Sequence, residues 1–321
     1  MVRRPITSVI VAEMPKGYGI LSELFRVVAD DETFVVKLAS NDPITMYTSL
    51  AMHWYQREVA FYRDLAKVVR CRVPNCIAVE HDDSGKFALV LNDLSETTCP
   101  VDQIGGATDA HAFAVVDALA TLHDSVRANE MPAWLPRAND PVLAIITPFC
   151  QNIWPTFAAR YEWPGAAMDV AERFVGRMDR VLDGWADCGE SVLTHGDIRG
   201  DNVLIDRASG EAVLLDWQQP AQQPAGWDLS HFTLTTLTTD DRRRLEPELL
   251  DRYCERRPKI SIDQLWHEYR LAALMLMYKP VANINLDPGT DRGRAMMASM
   301  SSRMAAAVID LDLASVLGAV G

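Results

Sequence analysis

Leu193-Thr-His-Gly-Asp-Ile-Arg-Gly-Asp-Asn-Val-Leu-Ile205, continued by Val213-Leu-Leu-Asp-Trp-Gln218, carries two short apolar runs, 203–205 and 213–215. The polar segment 207–210 between them predicts a small hairpin. Asp197 and Asn202 stand five apart in the loop before it, and Asp216 stands at its end. This order puts two carboxylates and one amide oxygen near one end of a small sheet. Phosphoryl transfer from a nucleotide requires such a set. One carboxylate orients the acceptor hydroxyl and takes its proton, while the other, with the amide oxygen, holds magnesium against the phosphates. Asp and Asn oxygens suit a hard cation, and the scarcity of nearby His and Cys argues against zinc.

Working outward, the first third of the chain reads as strands with one helix. Residues 8–12 form a short β-branched run. Residues 24–28 and 34–38 flank the acidic turn 29–32 as a hairpin, and 77–80 and 87–91 flank Asp82-Asp83-Ser84-Gly85 as a second. Between the hairpins, Leu50, Trp54, Phe61 and Leu65 keep helical spacing, which predicts one helix over 45–69. After Asn92 the character becomes helical. Helices are expected over 110–123 and 166–187 and through most of the chain beyond Arg242. The Pro- and Trp-rich segment 131–164 reads as irregular. A small β-rich lobe therefore precedes a larger helical one, with a joint near 91–97.

The 321 residues suffice for about two domains. Lys plus Arg number 31 against 44 Asp plus Glu, a formal charge of −13. That balance argues against non-specific nucleic-acid binding and against docking on anionic membranes. The cysteines at 71, 76, 99, 150, 188 and 254 form no CxxC pair and read as reduced thiols. Pro5, Glu13 and Lys16 follow Arg3 and Arg4 too soon for a signal-peptide core. The uncharged run 141–159 holds three prolines, Gln151 and Asn152, which does not suit a membrane span. A cytoplasmic location is expected.

His195-Gly196-Asp197-x4-Asn202 with Asp216-Trp217-Gln218 resembles the kinase-like small-molecule phosphotransferases: aminoglycoside phosphotransferases, choline kinases and ecdysteroid-kinase-like proteins. The resemblance implies an α+β, protein-kinase-like bilobal fold, with a β-rich N-lobe over 1–94 and a mainly helical C-lobe over 95–321. It implies Asp197 as catalytic base and Asn202 and Asp216 as magnesium ligands. Gly196 stands where protein kinases carry an Arg that meets a phosphorylated activation loop. With the short interval from Asp216 to Asp228, this points to a small-molecule acceptor rather than a protein. Asp228, in Gly226-Trp-Asp-Leu-Ser-His231, resembles the structural Asp that braces the catalytic loop.

The same resemblance supplies a nucleotide grip. Lys37, in Val35-Val36-Lys37, matches the phosphate-binding lysine, and Glu58 on the following helix is its partner. Lys16-Gly17-Tyr18-Gly19-Ile-Leu-Ser22 resembles a glycine-rich loop, with Gly17 and Gly19 in place and Ser22 at the third glycine. Leu91, Asn92, Asp93 and Leu94 match the hinge whose backbone bonds a nucleobase. The implied donor is ATP or GTP with Mg2+. The implied acceptor is a hydroxyl of an antibiotic or other natural product or metabolite.

Other residues have plainer readings. His195 reads as a structural hydrogen-bonder, Asp201 as a solvent-facing neighbour of Asn202, and Trp266 with Met275–Met277 as helix core. Acceptor-binding candidates are segment 131–164, with Trp134, Trp154, Phe157, Tyr161 and Trp163, and the helix start bearing Trp266, His267 and Glu268. Within 141–164 Glu162 alone is acidic, so a less charged, partly apolar acceptor is expected rather than a polycationic aminoglycoside. The alternative function is a nucleotide-binding pseudokinase that regulates a protein partner. The oligomeric state is open.

Overall fold

A computed structural model describes residues 6–14, 21–82, 86–138, 140, 145–286 and 288–320. Its first part is a five-stranded antiparallel sheet in the order β1-β2-β3-β5-β4. The strands are β1 (Val9–Glu13), β2 (Ser22–Ala29), β3 (Glu32–Ala39), β4 (Cys76–His81) and β5 (Phe87–Asn92). The β2–β3 turn places Asp30 at φ 53°, a left-handed conformation that Asp tolerates. Its Oδ1 accepts the Thr7 and Ser8 amides at 3.0 Å. Lys37 sits on β3 opposite Leu24 of β2 and Leu89 of β5.

Between β3 and β4 the single helix expected over 45–69 is broken. Helix α1 (Pro43–Ala51) is capped by Asp42, whose Oδ1 accepts the Thr45 amide at 2.7 Å. His53 then takes φ 56°, which ends one helix before α2 (Trp54–Ala60) begins. A π-helical turn, Phe61–Leu65, continues α2. The apolar spacing spans this break, so periodicity alone does not reveal it.

The remainder is mainly helical. It comprises β6 (Thr98–Pro100), α3 (Asp109–His123), α4 (Ile146–Arg160), α5 (Gly165–Val175), α6 (Met178–Ala186), β7 (Ser191–Thr194), β8 (Val203–Asp206), β9 (Ala212–Leu214) and β10 (Ala221–Pro224). Six helices follow: α7 (Gly226–Thr236), α8 (Thr239–Arg256), α9 (Ile262–Leu276), α10 (Tyr278–Ala282), α11 (Asp291–Asp310) and α12 (Leu313–Ala319). The hairpin β8–β9 pairs with β6, and β7 pairs with β10. The expected helix over 166–187 divides into α5 and α6 at Gly176 and Arg177.

Part of the segment read as irregular is α4, with Pro155 inside it. Aromatic packing overrides the proline's local preference. Phe157 is fully buried, and Trp154, Tyr161 and Trp163 lie within 5.2–5.4 Å of its ring. The Trp163 indole donates to Ser301 Oγ at 3.0 Å, and that of Trp134 donates to Asp64 Oδ2 at 2.8 Å. Trp154, Phe157, Tyr161 and Trp163 pack in the helical core, whereas Trp134 bonds to the turn that continues α2.

Helix α7 is buried along its whole length and packs on α9. Its polar side chains survive there because they bond locally. Ser230 donates to the Tyr269 carbonyl at 2.6 Å, and Thr235 donates to that of His231 at 2.6 Å. Among the described residues no helix is long and apolar enough to cross a membrane. All six cysteines are free thiols.

Candidate active site

The loop from β7 to β8 is shaped by its glycine. Gly196 has φ +82°, and a Cβ there would lie 1.8 Å from the Gln219 carbonyl oxygen. No side chain fits, which gives a packing reason for glycine beyond the missing activation-loop arginine. Asp228, at the start of α7, accepts the His195 amide at 2.7 Å and the Gly196 amide at 2.9 Å. Burial opposes its charge, but His123 and these amides hold the carboxyl below its usual range. The Trp227 indole donates to the Gly196 carbonyl at 2.9 Å. Asp228 is thus the loop brace that its motif implies.

His195 contacts backbone on both ring nitrogens. Nε2–H donates to the Leu215 carbonyl at 2.7 Å, and Nδ1 accepts the Asp197 amide at 3.3 Å. It orders the loop, as expected, and ties it to the residue before Asp216. The Leu215 amide donates back to the Asn202 carbonyl at 2.9 Å. The Asn202 Nδ2 donates to the Asp197 carbonyl at 2.8 Å and to Asp197 Oδ2 at 3.3 Å. Asn202 therefore turns its amide nitrogen toward Asp197 and keeps its side-chain oxygen for another partner.

Asp216 takes φ 64°, a left-handed position that costs a non-glycine residue energy. Its Oδ1 accepts from Lys37 Nζ at 2.6 Å. Lys37 also meets Glu58, at 3.0 Å from Oε1 and 2.8 Å from Oε2. Burial alone would lower the Lys37 ammonium, but Asp216 and Glu58 outweigh it and hold it above its usual value. Burial pushes the Glu58 carboxyl up to about 7, against the pull of Lys37. The strand lysine, helix glutamate and hairpin aspartate form one charge relay across the sheet and the helical part.

Ser22 is buried at the start of β2, and its hydroxyl accepts from Gln218 Nε2 at 3.2 Å. It thereby touches Gln218 of the Asp-Trp-Gln segment. Gly17 and Gly19 lie outside the described residues. The strand β5 carries Leu91 into the segment Asn92-Asp93-Leu94. The Asn92 and Asp93 amides are already bonded, to Asn75 and Thr33 carbonyls at 3.1 and 3.3 Å. The Asp93 carboxylate is held by Arg26 Nε at 2.7 Å and the Ser95 amide at 2.8 Å. The Leu94 amide makes no hydrogen bond among the described residues.

Around Asp197 the structure gathers groups that the sequence reading did not include. Lys279 Nζ, on α10, lies 2.7 Å from Asp197 Oδ1 and 3.0 Å from His231 Nε2. Arg199 Nε lies 3.6 Å from Asp197 Oδ2. Burial opposes the Asp197 charge, yet Lys279, His231 and Arg199 hold the carboxyl well below the usual carboxylate range. Burial and Lys279 lower the His231 imidazole to about 3, so it is neutral and accepts from Lys279. Arg199 was visible two residues beyond Asp197. Lys279 is 82 residues away and carries no local signal.

Two sequence readings need correction. Asp201 does not face solvent: its side chain is fully buried, bridged to Arg292 at 2.6 Å and Arg199 at 3.1 Å. Glu268 is not an acceptor contact but a buried packing residue. Its carboxylate accepts the Gly226 amide at 3.3 Å and Gln264 Nε2 at 3.1 Å, fixing α9 against α7.

The donor set fits magnesium. Asn202 Oδ1 and Asp216 Oδ2 are hard oxygens with no bonded partner among the described residues. No group of three or more His, Cys, Asp or Glu side chains suited to a metal occurs among those residues.

Comparison with known proteins supports the same chemistry. Residues 18–271 match the family model described as the phosphotransferase enzyme family, APH. Comparison with curated proteins finds no match. Among solved structures, choline kinase from Cryptosporidium parvum superposes with a TM-score of 0.60 at 12% identity, covering 97% of this chain and 93% of that one. A choline/ethanolamine kinase family protein from Mesorhizobium loti gives 0.58 at 15% identity, over 97% and 92%. Macrolide 2'-phosphotransferase type I gives 0.54 at 18% identity, over 92% of both chains. These likenesses show a kinase-like fold, and the extent of the family match establishes that the chain belongs to the phosphotransferase enzyme family, whose reaction is transfer to a hydroxyl.

Proposed function

We propose that this protein transfers the γ-phosphoryl group of ATP or GTP, with Mg2+, to a hydroxyl of a small natural product or metabolite. The observation that carries the reading is Lys37 held between Glu58 and Asp216, together with Asn202 bonded to Asp197. Lys37 binds the nucleotide phosphates, and Glu58 keeps its ammonium in place. Asn202 and Asp216 hold the magnesium, which offsets phosphate charge when bound. The Leu94 amide is free to bond a nucleobase edge, and the resemblance of residues 16–22 to a glycine-rich loop assigns Gly17, Gly19 and Ser22 to phosphate binding. The nucleotide-binding lobe is 1–94 and the acceptor lobe 95–321.

Asp197 is too acidic to remove a proton from an alcohol in advance. It accepts the hydroxyl hydrogen bond and aims the oxygen at phosphorus. The proton passes to the carboxylate as the new O–P bond forms and the bond to the nucleoside diphosphate breaks. Most of the rate gain is positioning and charge stabilisation. A cytoplasmic location follows from the nucleotide donor.

The test is nucleoside diphosphate release with Mg2+ and either ATP or GTP. The panel contains aminoglycosides, macrolides, nucleoside antibiotics, sugars, amino alcohols and sterols. The expected result is acceptor-dependent release that disappears in Asp197→Asn. Tight nucleotide binding with no release on any acceptor would instead favour a pseudokinase that regulates a partner.

A further inference from the structure

Two basic side chains bracket the Asp197 carboxylate. Its carboxylate is engaged by Lys279 on Oδ1 and approached by Arg199 on Oδ2. The next carboxylate, Asp201, is fully buried and already bridged by Arg292 and Arg199. Lys279 and Arg199 are therefore the cations that face Asp197. His231 is neutral and adds no negative charge. Glu268, the acid on the adjoining α9, is bonded to Gly226 and Gln264.

Lys279 is not a loose surface group. Its side chain is 11% exposed. Helix α10 packs on α4 and α11. An ammonium has three N–H donors. Asp197 and His231 take two, and the third has no partner among the described residues. An acceptor hydroxyl reaching Asp197 must arrive beside this ammonium.

We propose that Lys279 sets acceptor charge: the site takes a hydroxyl compound that is neutral or anionic near its reacting oxygen, and rejects one with a cation there. Resting on the phosphotransferase reading, this makes Lys279 a positioning and specificity residue. It fixes Asp197 Oδ1 and offers its remaining donor to an acceptor oxygen. A protonated amine in the same place meets Lys279 and Arg199 and finds both Asp197 oxygens already engaged by donors. Repulsion between two unit charges a few ångströms apart in a partly buried site corresponds to at least about a tenfold loss in affinity.

The experiment uses three two-carbon alcohols of similar size: glycolate, ethylene glycol and ethanolamine. Each is given at high millimolar concentration to the full chain with Mg2+ and nucleotide. Phosphorylated product is followed by phosphorus NMR, and inhibition of basal nucleoside diphosphate release is followed in parallel. The wild type should respond to glycolate and ethylene glycol at least about tenfold better than to ethanolamine. Lys279→Gln should bring ethanolamine to within about threefold of ethylene glycol, and Lys279→Arg should restore the discrimination. A purely structural role would lower all three responses together. Three outcomes overturn the inference: equal or better use of ethanolamine by the wild type, an unchanged ratio in Lys279→Gln, or no response to any of the three. Loss of all Asp197-dependent release, basal release included, would instead mark failure of the underlying phosphotransferase reading.

Discussion

The rings of Phe61 and Trp217 stack face to face, 3.8 Å between centroids and 4° from parallel. Phe61 opens the π turn that continues the Glu58 helix, and Trp217 follows Asp216. Both are fully buried. The stack joins the elements that carry the two carboxylates on Lys37. Trp217→Ala should cost about 3–5 kcal/mol, as large-to-small core changes do, measured by urea denaturation. It should also weaken nucleotide binding, because Glu58 and Asp216 lose their shared support. Unchanged affinity in a folded variant would separate the stack from the site.

Gly196 and Gly210 provide a matched comparison. Both have positive φ, but a Cβ at Gly210 meets nothing within 4 Å, whereas one at Gly196 meets the Gln219 carbonyl oxygen at 1.8 Å. Gly210→Ala should cost about 1–2 kcal/mol, the left-handed penalty alone. Gly196→Ala should cost distinctly more and remove activity, since the loop bearing Asp197 must shift. Thermal melting of both variants checks this, and equal losses would contradict the steric account.

Much of this architecture was legible in the sequence where signals are local. Apolar runs and turn residues place the five strands, and His195-Gly-Asp with Asn202 and Asp216 places the loop before β8 and the hairpin. Lys37 meets Glu58 and Asp216, and Asn202 meets Asp197. Three features were not legible, each for a physical reason. The break at His53 rests on one backbone angle within an unbroken apolar pattern. Helix α4 forms through tertiary packing around Phe157 despite Pro155. The Lys279–Asp197 pair depends on how α10 packs, across a separation at which sequence carries no spacing rule. Asp201 was misread because Arg292, one of its two arginine partners, lies 91 residues along the chain.

Lys37 and Asp216 should separate kinetically and by metal dependence. Lys37→Met removes a charged donor to phosphate, worth about 1.5–3 kcal/mol, so nucleotide affinity should fall roughly ten- to hundredfold. Asp216→Ala should abolish the strengthening of nucleotide binding by Mg2+ while leaving metal-free binding nearly unchanged. Calorimetry with and without the metal reads both. Retained magnesium enhancement in Asp216→Ala would remove that residue from the metal site.

The buried histidines make the fold sensitive to acid. Burial lowers both His123 and His231, the latter to about 3 from its usual 6.5. The unfolded chain therefore binds more protons than the folded one below pH 6.5, and stability falls as pH drops from there toward 3. The urea midpoint should decline between neutrality and about pH 4. His231→Gln, whose side-chain oxygen can still accept from Lys279, should flatten that decline. A slope equal to the wild type's would show that His231 does not contribute.

The central claim is that Asp197 orients the acceptor for a phosphoryl group held by Lys37, Asn202 and Asp216. It is tested most directly by acceptor-dependent nucleoside diphosphate release in Asp197→Asn, compared with wild type at matched Mg2+–nucleotide occupancy. The predicted result is a fall of about 10²–10⁴ in rate with nucleotide affinity preserved. Release at near wild-type rate from the folded variant would contradict the assignment.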